Sequence, residues 1–277
     1  MGRLIKAEFL KVFTTKLWWA LLIPAAVLSL AVTWGGAAIG ALGEVQENAG
    51  GALPLSLPSF AQGINLATVF AMILGGTAVT SEIRHKTITT SYLTGPSRGS
   101  VLAAKLAVFS AIGAIYGLAC MLSATLGSVF GGNFPDAADW FLLAGTGVVA
   151  LVMWTLLGVG LGALIGNQVG TTVGLLTYVL VAEPIIGGIL RGNDVAGVPG
   201  YLPSHAGGNM VTNLSLDLFI EGLPGDPARN QENYEKIREF FNLDSAPIWW
   251  ASGLIFIGYA LVVGLVGWLV AKNRDIT

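Results

Sequence analysis

Between Asp139 and Glu183 the chain carries no charged side chain. A helix needs roughly 20 mainly apolar residues to cross the hydrocarbon core of a bilayer, and this interval is long enough for two. It is interrupted by Gly166-Asn167-Gln168-Val169-Gly170, whose glycines and amides mark a turn. The pattern predicts a helical hairpin with spans over 140–165 and 171–190. Four further apolar runs qualify, at 17–43, 60–79, 101–130 and 247–271. The expected fold is therefore an all-α integral membrane protein, a single transmembrane domain of six helices over residues 1–277. Composition agrees: 11% of residues are charged, against roughly a quarter in soluble domains. Apolar residues make up 54%, and mean hydropathy is +0.72. Basic residues ahead of the first run also suit a signal peptide, but the run exceeds the usual apolar core of one. No small-residue cleavage site follows it, so it is expected to be retained as a span.

The signs of the charges are sorted along the chain. Arg3, Lys6, Lys11 and Lys16 precede the first span; Arg84, Lys86, Arg98 and Lys105 fall between or beside the second and third; Lys272 and Arg274 follow the sixth. Most acids, among them Glu44, Glu47, Asp136, Asp139, Glu221, Glu232 and Glu235, fall on the other side of an even number of crossings. Basic residues collect on the cytoplasmic side of short loops, so both termini and the stretch between the second and third spans are expected there. Residues 191–246 become an external segment, opening rich in Gly and Pro. It ends in a helical pattern where Tyr234, Ile237, Phe240 and Phe241 share a face.

Chemistry has few footholds. Cys120 is the single cysteine, and His85 and His205 are the only histidines, assigned to opposite sides of the membrane. No thiolate or histidine metal site follows from them. No Gly-Lys-Ser or Gly-Lys-Thr occurs, so a phosphate-cradling loop of the Walker type is absent. The chain is not expected to be an enzyme by itself, to carry a cofactor or to bind nucleic acid. Glu183, followed by Pro184, is the one acid inside a span. Ionisable groups within a membrane mark pathways or relays, so one reading makes Glu183 the proton site of a secondary carrier. The other is structural: Pro184 breaks the fifth helix near the outer leaflet, and Glu183 faces protein where the backbone is freed.

Two stretches outside the spans look organised. Over residues 1–16, Ile5, Phe9, Val12 and Phe13 recur at helical spacing with Arg3, Lys6 and Lys11 off the stripe. This predicts an amphipathic helix in the cytoplasmic interface, leading to Trp18 and Trp19 at headgroup depth. Residues 81–96 form a polar, basic island that begins with Glu82, Arg84, His85 and Lys86 and stops at Gly95-Pro96. A short helix there could dock on a soluble partner, and by charge alone an ordinary basic loop fits as well.

The residue pattern adds a resemblance. The stretch SEIRHKTITTSYLTGPSRGSVLAAKLAV resembles the first cytoplasmic loop of the type 2 ABC exporter permease family, and KAEFLKVFTTKLWWAL is similar to that family's N-terminal interfacial helix. The matching positions are Glu82, Arg84, His85, Thr87, Ile88, Leu93, Pro96, Arg98 and Lys105; Lys86 stands where the family often has glycine. The resemblance implies that residues 81–96 are a coupling helix seated on a separate cytoplasmic ABC ATPase, which would bind ATP and Mg. It also implies a second permease copy, as a homodimer or heterodimer, in a bacterial plasma membrane, with two short re-entrant helices between the fifth and sixth spans. Export of a drug, lipid or other amphiphile would be the task. Gly158, Gly162 and Gly166 form a small-residue ladder on the fourth span of the kind that packs helices in lipid. A proton-coupled carrier and a non-transporting scaffold or sensor are the alternatives.

Overall fold

A computed structural model of the chain describes residues 1–85, 97–132, 134–193, 195, 197–224, 234–238, 243 and 246–273, the side chains of Arg98, Lys272 and Asn273 excepted. The described residues are helical and contain no strand. The elements are α1 (Gly2–Thr14), α2 (Leu17–Gly40), α3 (Gly43–Ala49), α4 (Ser56–Arg84), α5 (Arg98–Phe130), α6 (Ala137–Ile165), α7 (Gln168–Thr177), α8 (Glu183–Gly192), α9 (Pro203–Glu221) and α10 (Trp249–Asn273). Six helical segments are long and apolar enough to cross a membrane: α2, α4, α5, α6, α7 with α8, and α10. The chain is a multi-pass membrane protein.

The centre of the bundle is the pair α4 and α6. α4 also packs on α2, α7 and α9, while α6 also packs on α5 and α10. Lipid gives helices no hydrophobic reason to associate, so close backbone approach must do the work. A Cβ on Gly158 would collide with the Met72 carbonyl oxygen, and one on Gly162 would lie 2.5 Å from that of Gly76. These two glycines thus serve contact inside one subunit. Gly166 does not belong to the ladder. It ends α6 in the left-handed region, φ 69°, with its N–H donating to the Gly162 carbonyl. Asn167 then caps α7, its side chain accepting from the Gly170 N–H.

The structure departs most from the sequence expectation in four places. The first span ends at Gly40, and the short α3 follows it. The second span runs through Ser81, Glu82 and Ile83 to Arg84. The start of the expected 81–96 helix is therefore the last turn of α4, held there because Glu82 points into the bundle. The fifth span does not break at Pro184. It widens into a π turn over Tyr178–Ala182, where the Glu183 N–H donates to the Tyr178 carbonyl, and continues as α8. Proline removes one donor and crowds the carbonyl four residues back, here that of Leu180, and the wider turn absorbs both effects. Finally, segment 191–246 does not lie wholly outside the bundle. Its α9, 19 residues long, is almost entirely buried against α4, α6 and α10. Gly222 lies beside Pro54, Thr212 bonds Asn65, and Pro203 and Ser204 line a cavity with Met72. α9 therefore runs antiparallel to the first half of α4 and begins level with a point past the middle of that helix, packed within the bundle as one long helix.

Candidate functional site

α1 turns Ile5, Glu8, Phe9 and Val12 toward the bundle, Glu8 and Val12 being fully buried. Phe13 is exposed but stacks on Phe9 and meets Trp18 edge-on, at 6.1 and 5.1 Å between centroids. An acid on an inward apolar stripe requires a buried partner. Lys105, 3% exposed, supplies it from the third turn of α5. Its Nζ lies 2.6 Å from Glu8 Oε2 and 2.7 Å from Glu82 Oε1. Lys11 closes the square, 2.6 Å from Glu8 Oε1 and 2.7 Å from Glu82 Oε1. Two acids and two bases thus bind α1 to the last turn of α4 and the beginning of α5, the two helices that flank residues 86–96. Burial opposes the charge on Lys11, but hydrogen bonds and attraction to Glu8 and Glu82 outweigh it and raise its pKa above the ordinary 10.5.

Around this square lie the other described residues of the polar island. Arg84 is exposed and donates to Gln168 Oε1 at 3.2 Å, tying the end of α4 to the turn that opens α7. His85 is exposed, with Nδ1 3.1 Å from the Ser81 carbonyl. Ser97 caps α5 by accepting from the Ser100 N–H, so Arg98 is the first residue of that helix. Lys86, Thr87, Ile88, Leu93 and Pro96 lie outside the described residues, as do Phe240, Phe241 and Arg274. The sequence reading placed Glu82 on a docking surface; its 8% exposure and its two lysine partners put it inside the bundle instead. It also passed over Glu8, although its position on the α1 stripe carries the signal.

A second polar cluster sits deeper. Glu183, with no exposed surface, accepts from the backbone N–H groups of Ser204 at 2.9 Å and His205 at 2.7 Å, and from His205 Nδ1 at 2.8 Å. Those two N–H groups belong to the first turn of α9, whose own N-cap position, Leu202, has no side-chain acceptor. Glu183 therefore caps a neighbouring helix, satisfying donors that would otherwise be orphaned in an apolar setting. Along the second half of α9, Arg238 donates to Asn213 Oδ1, to Tyr234 Oη and to the carbonyls of Leu243 and Ala246, while Tyr234 donates to Asp217. Among the described residues no group of three His, Cys, Asp or Glu side chains could hold a metal ion. No protein-family model matches the chain, and no curated protein matches it either.

Proposed function

We propose that the chain is the membrane permease subunit of an ATP-driven ABC transporter, exporting a drug, lipid or other amphiphile. A separate cytoplasmic subunit would bind ATP and Mg and hydrolyse the nucleotide. The observation that carries the reading is the square of Glu8, Lys11, Glu82 and Lys105. It binds an N-terminal helix to both helices that lead away from residues 86–96, so a push on α1 or on that loop reaches the second and third spans together. Such a joint is what a subunit driven from outside needs, and an ordinary loop has no use for it. In this reading both termini are cytoplasmic, the membrane is the bacterial plasma membrane, and two permease copies pair. The proton-carrier alternative is disfavoured by Glu183, whose carboxylate is committed to the first turn of α9.

The test is co-purification. An ABC ATPase encoded beside this chain is expected to be retained by the native permease in detergent and lost when the exposed Arg84 is changed to Glu, with membrane insertion unchanged. An ATPase that binds both equally, or neither, sinks the docking assignment.

A further inference from the structure

Beside the ionic square lies an open cavity of about 440 Å³ between α1, the start of α2, the end of α4 and α5. This is within the range of roughly 300–1,000 Å³ common for ligand sites. Its inner wall is apolar, formed by Val12, Leu17, Leu74, Ala78 and Phe109. Its polar lining sets Lys11, Ser81 and His85 beside the rest of the square, Glu8, Glu82 and Lys105. Leu17, the first residue of the first span, is 38% exposed, so the apolar wall begins where that helix enters the membrane.

Of the charged side chains in that lining, Lys11 is the one that reaches the mouth. The acids Glu8 and Glu82 have side chains only 5% and 10% exposed, whereas Lys11 is 44% exposed. Its ammonium has three N–H donors, and two carboxylates engage it. Arg3 and Lys6 on α1, Lys16 at its junction with α2 and Arg84 at the end of α4 are exposed too, and among the described residues no exposed carboxylate lies on α1, in the last turn of α4 or in the first turns of α5. Ser81 adds a hydroxyl. His85 Nδ1 faces the Ser81 carbonyl, which leaves Nε2 as the ring nitrogen for a ligand. A free phosphate would satisfy the mouth and leave the apolar wall wet; a neutral lipid would satisfy the wall and leave the cations alone.

We infer that this cavity is a binding site for an anionic phospholipid of the adjoining leaflet, its phosphate at Lys11, Ser81 and His85 and an acyl chain along Leu17, Leu74 and Phe109. The site lies against the helix that the transport reading treats as a lever, yet it needs no ATPase and is tested without one.

The experiment uses the purified full chain, exposed to equal amounts of phosphatidylglycerol and phosphatidylcholine with matched acyl chains, and counts retained lipids by native mass spectrometry. Phosphatidylglycerol is expected to be retained over phosphatidylcholine. One elementary charge near a membrane surface corresponds to about fivefold in binding, so His85→Glu, an exposed change, should reduce that preference about fivefold or more. Ala78→Phe fills the wall and should lower retention of both lipids. Soluble glycerol phosphate should displace neither. Equal retention of the two lipids by the native chain, an unchanged ratio in His85→Glu, unchanged retention in Ala78→Phe, or displacement by glycerol phosphate would each overturn the assignment.

Discussion

At the scale of single residues, Lys105 carries the largest consequence. A buried ion pair contributes little net stability compared with apolar packing, but removing one partner leaves an uncompensated charge at a cost of about 3–5 kcal/mol. Lys105→Met is expected to lower stability by that order, read as a drop in the thermal midpoint in detergent, and adding Glu8→Leu should recover part of it. No recovery would mean that the two residues do not share one network. Lys11 sets the pH response. Its folded pKa is raised above 10.5, so its contribution is fully present below that value and is lost as pH rises through the folded one. The melting temperature contributed by this group should stay level from neutral pH to about 10 and fall beyond it. Replacing Lys11 by Met should flatten the alkaline fall; an identical fall in both proteins would assign it to other groups. Glu183 offers a sharper separation of roles. Glu183→Ala strands two N–H donors of α9, each worth about 1–3 kcal/mol when left buried and unpaired. Glu183→Gln keeps one acceptor and sets its amide against the other donor, so it should lose less stability than Glu183→Ala and, if the permease reading holds, still transport once assembled. Loss of transport by an assembled Gln variant would restore the proton-site reading.

At the scale of elements, long apolar helices announce themselves and a buried helix with polar side chains does not. The uncharged run from 140 to 182 gave two spans and their turn, because lipid imposes a length and a composition that any reader can count. α9 is different. Its residues Asn209, Thr212, Asn213 and Ser215 are buried, and its first turn contains Pro203 and His205. Such a stretch reads as a polar external segment until its partners are known: Asn65 for Thr212, the Pro247 carbonyl for Asn213, Glu183 for the N-terminus. The same cause hid the true place of Glu82, since Lys105 lies 23 positions away and the distance between them depends on how α4 and α5 pair. Gly158 and Gly162 were legible as packing residues, but only the structure says that their partner is α4 of the same chain. Gly158→Val should therefore damage the subunit itself. Forcing a side chain into a packed contact costs about 1–3 kcal/mol and occasionally more, so the variant is expected to melt earlier or fail to accumulate. A stable, monomeric Gly158→Val protein would instead place this surface at a seam between copies.

At the scale of the whole molecule, the question is how force entering at one end would reach the other. The ionic square joins three helices through side chains alone, with Glu82 bonded to both lysines and Glu8 bonded to both. From α4 the path continues along the glycine contact with α6, and through Asn65 and Thr212 into α9. At its inner end α9 is capped by Glu183 of the fifth span. A displacement of α4 thus has packed or hydrogen-bonded partners all the way to the π turn, and α1 shares in it through the square and its apolar stripe. Glu8→Gln removes the charge that attracts Lys11 and Lys105 to α1 while leaving Glu82 bonded to both lysines. If the permease reading holds, this variant should still retain its ATPase, because the exposed Arg84 and His85 are untouched. ATP hydrolysis by the complex should persist, and the amount of substrate moved per ATP should fall several-fold. Measuring both rates on the same reconstituted vesicles decides the matter. An unchanged ratio would mean that α1 is an anchor and not a lever, and loss of the ATPase from the complex would mean that the square shapes the docking surface instead of transmitting through it.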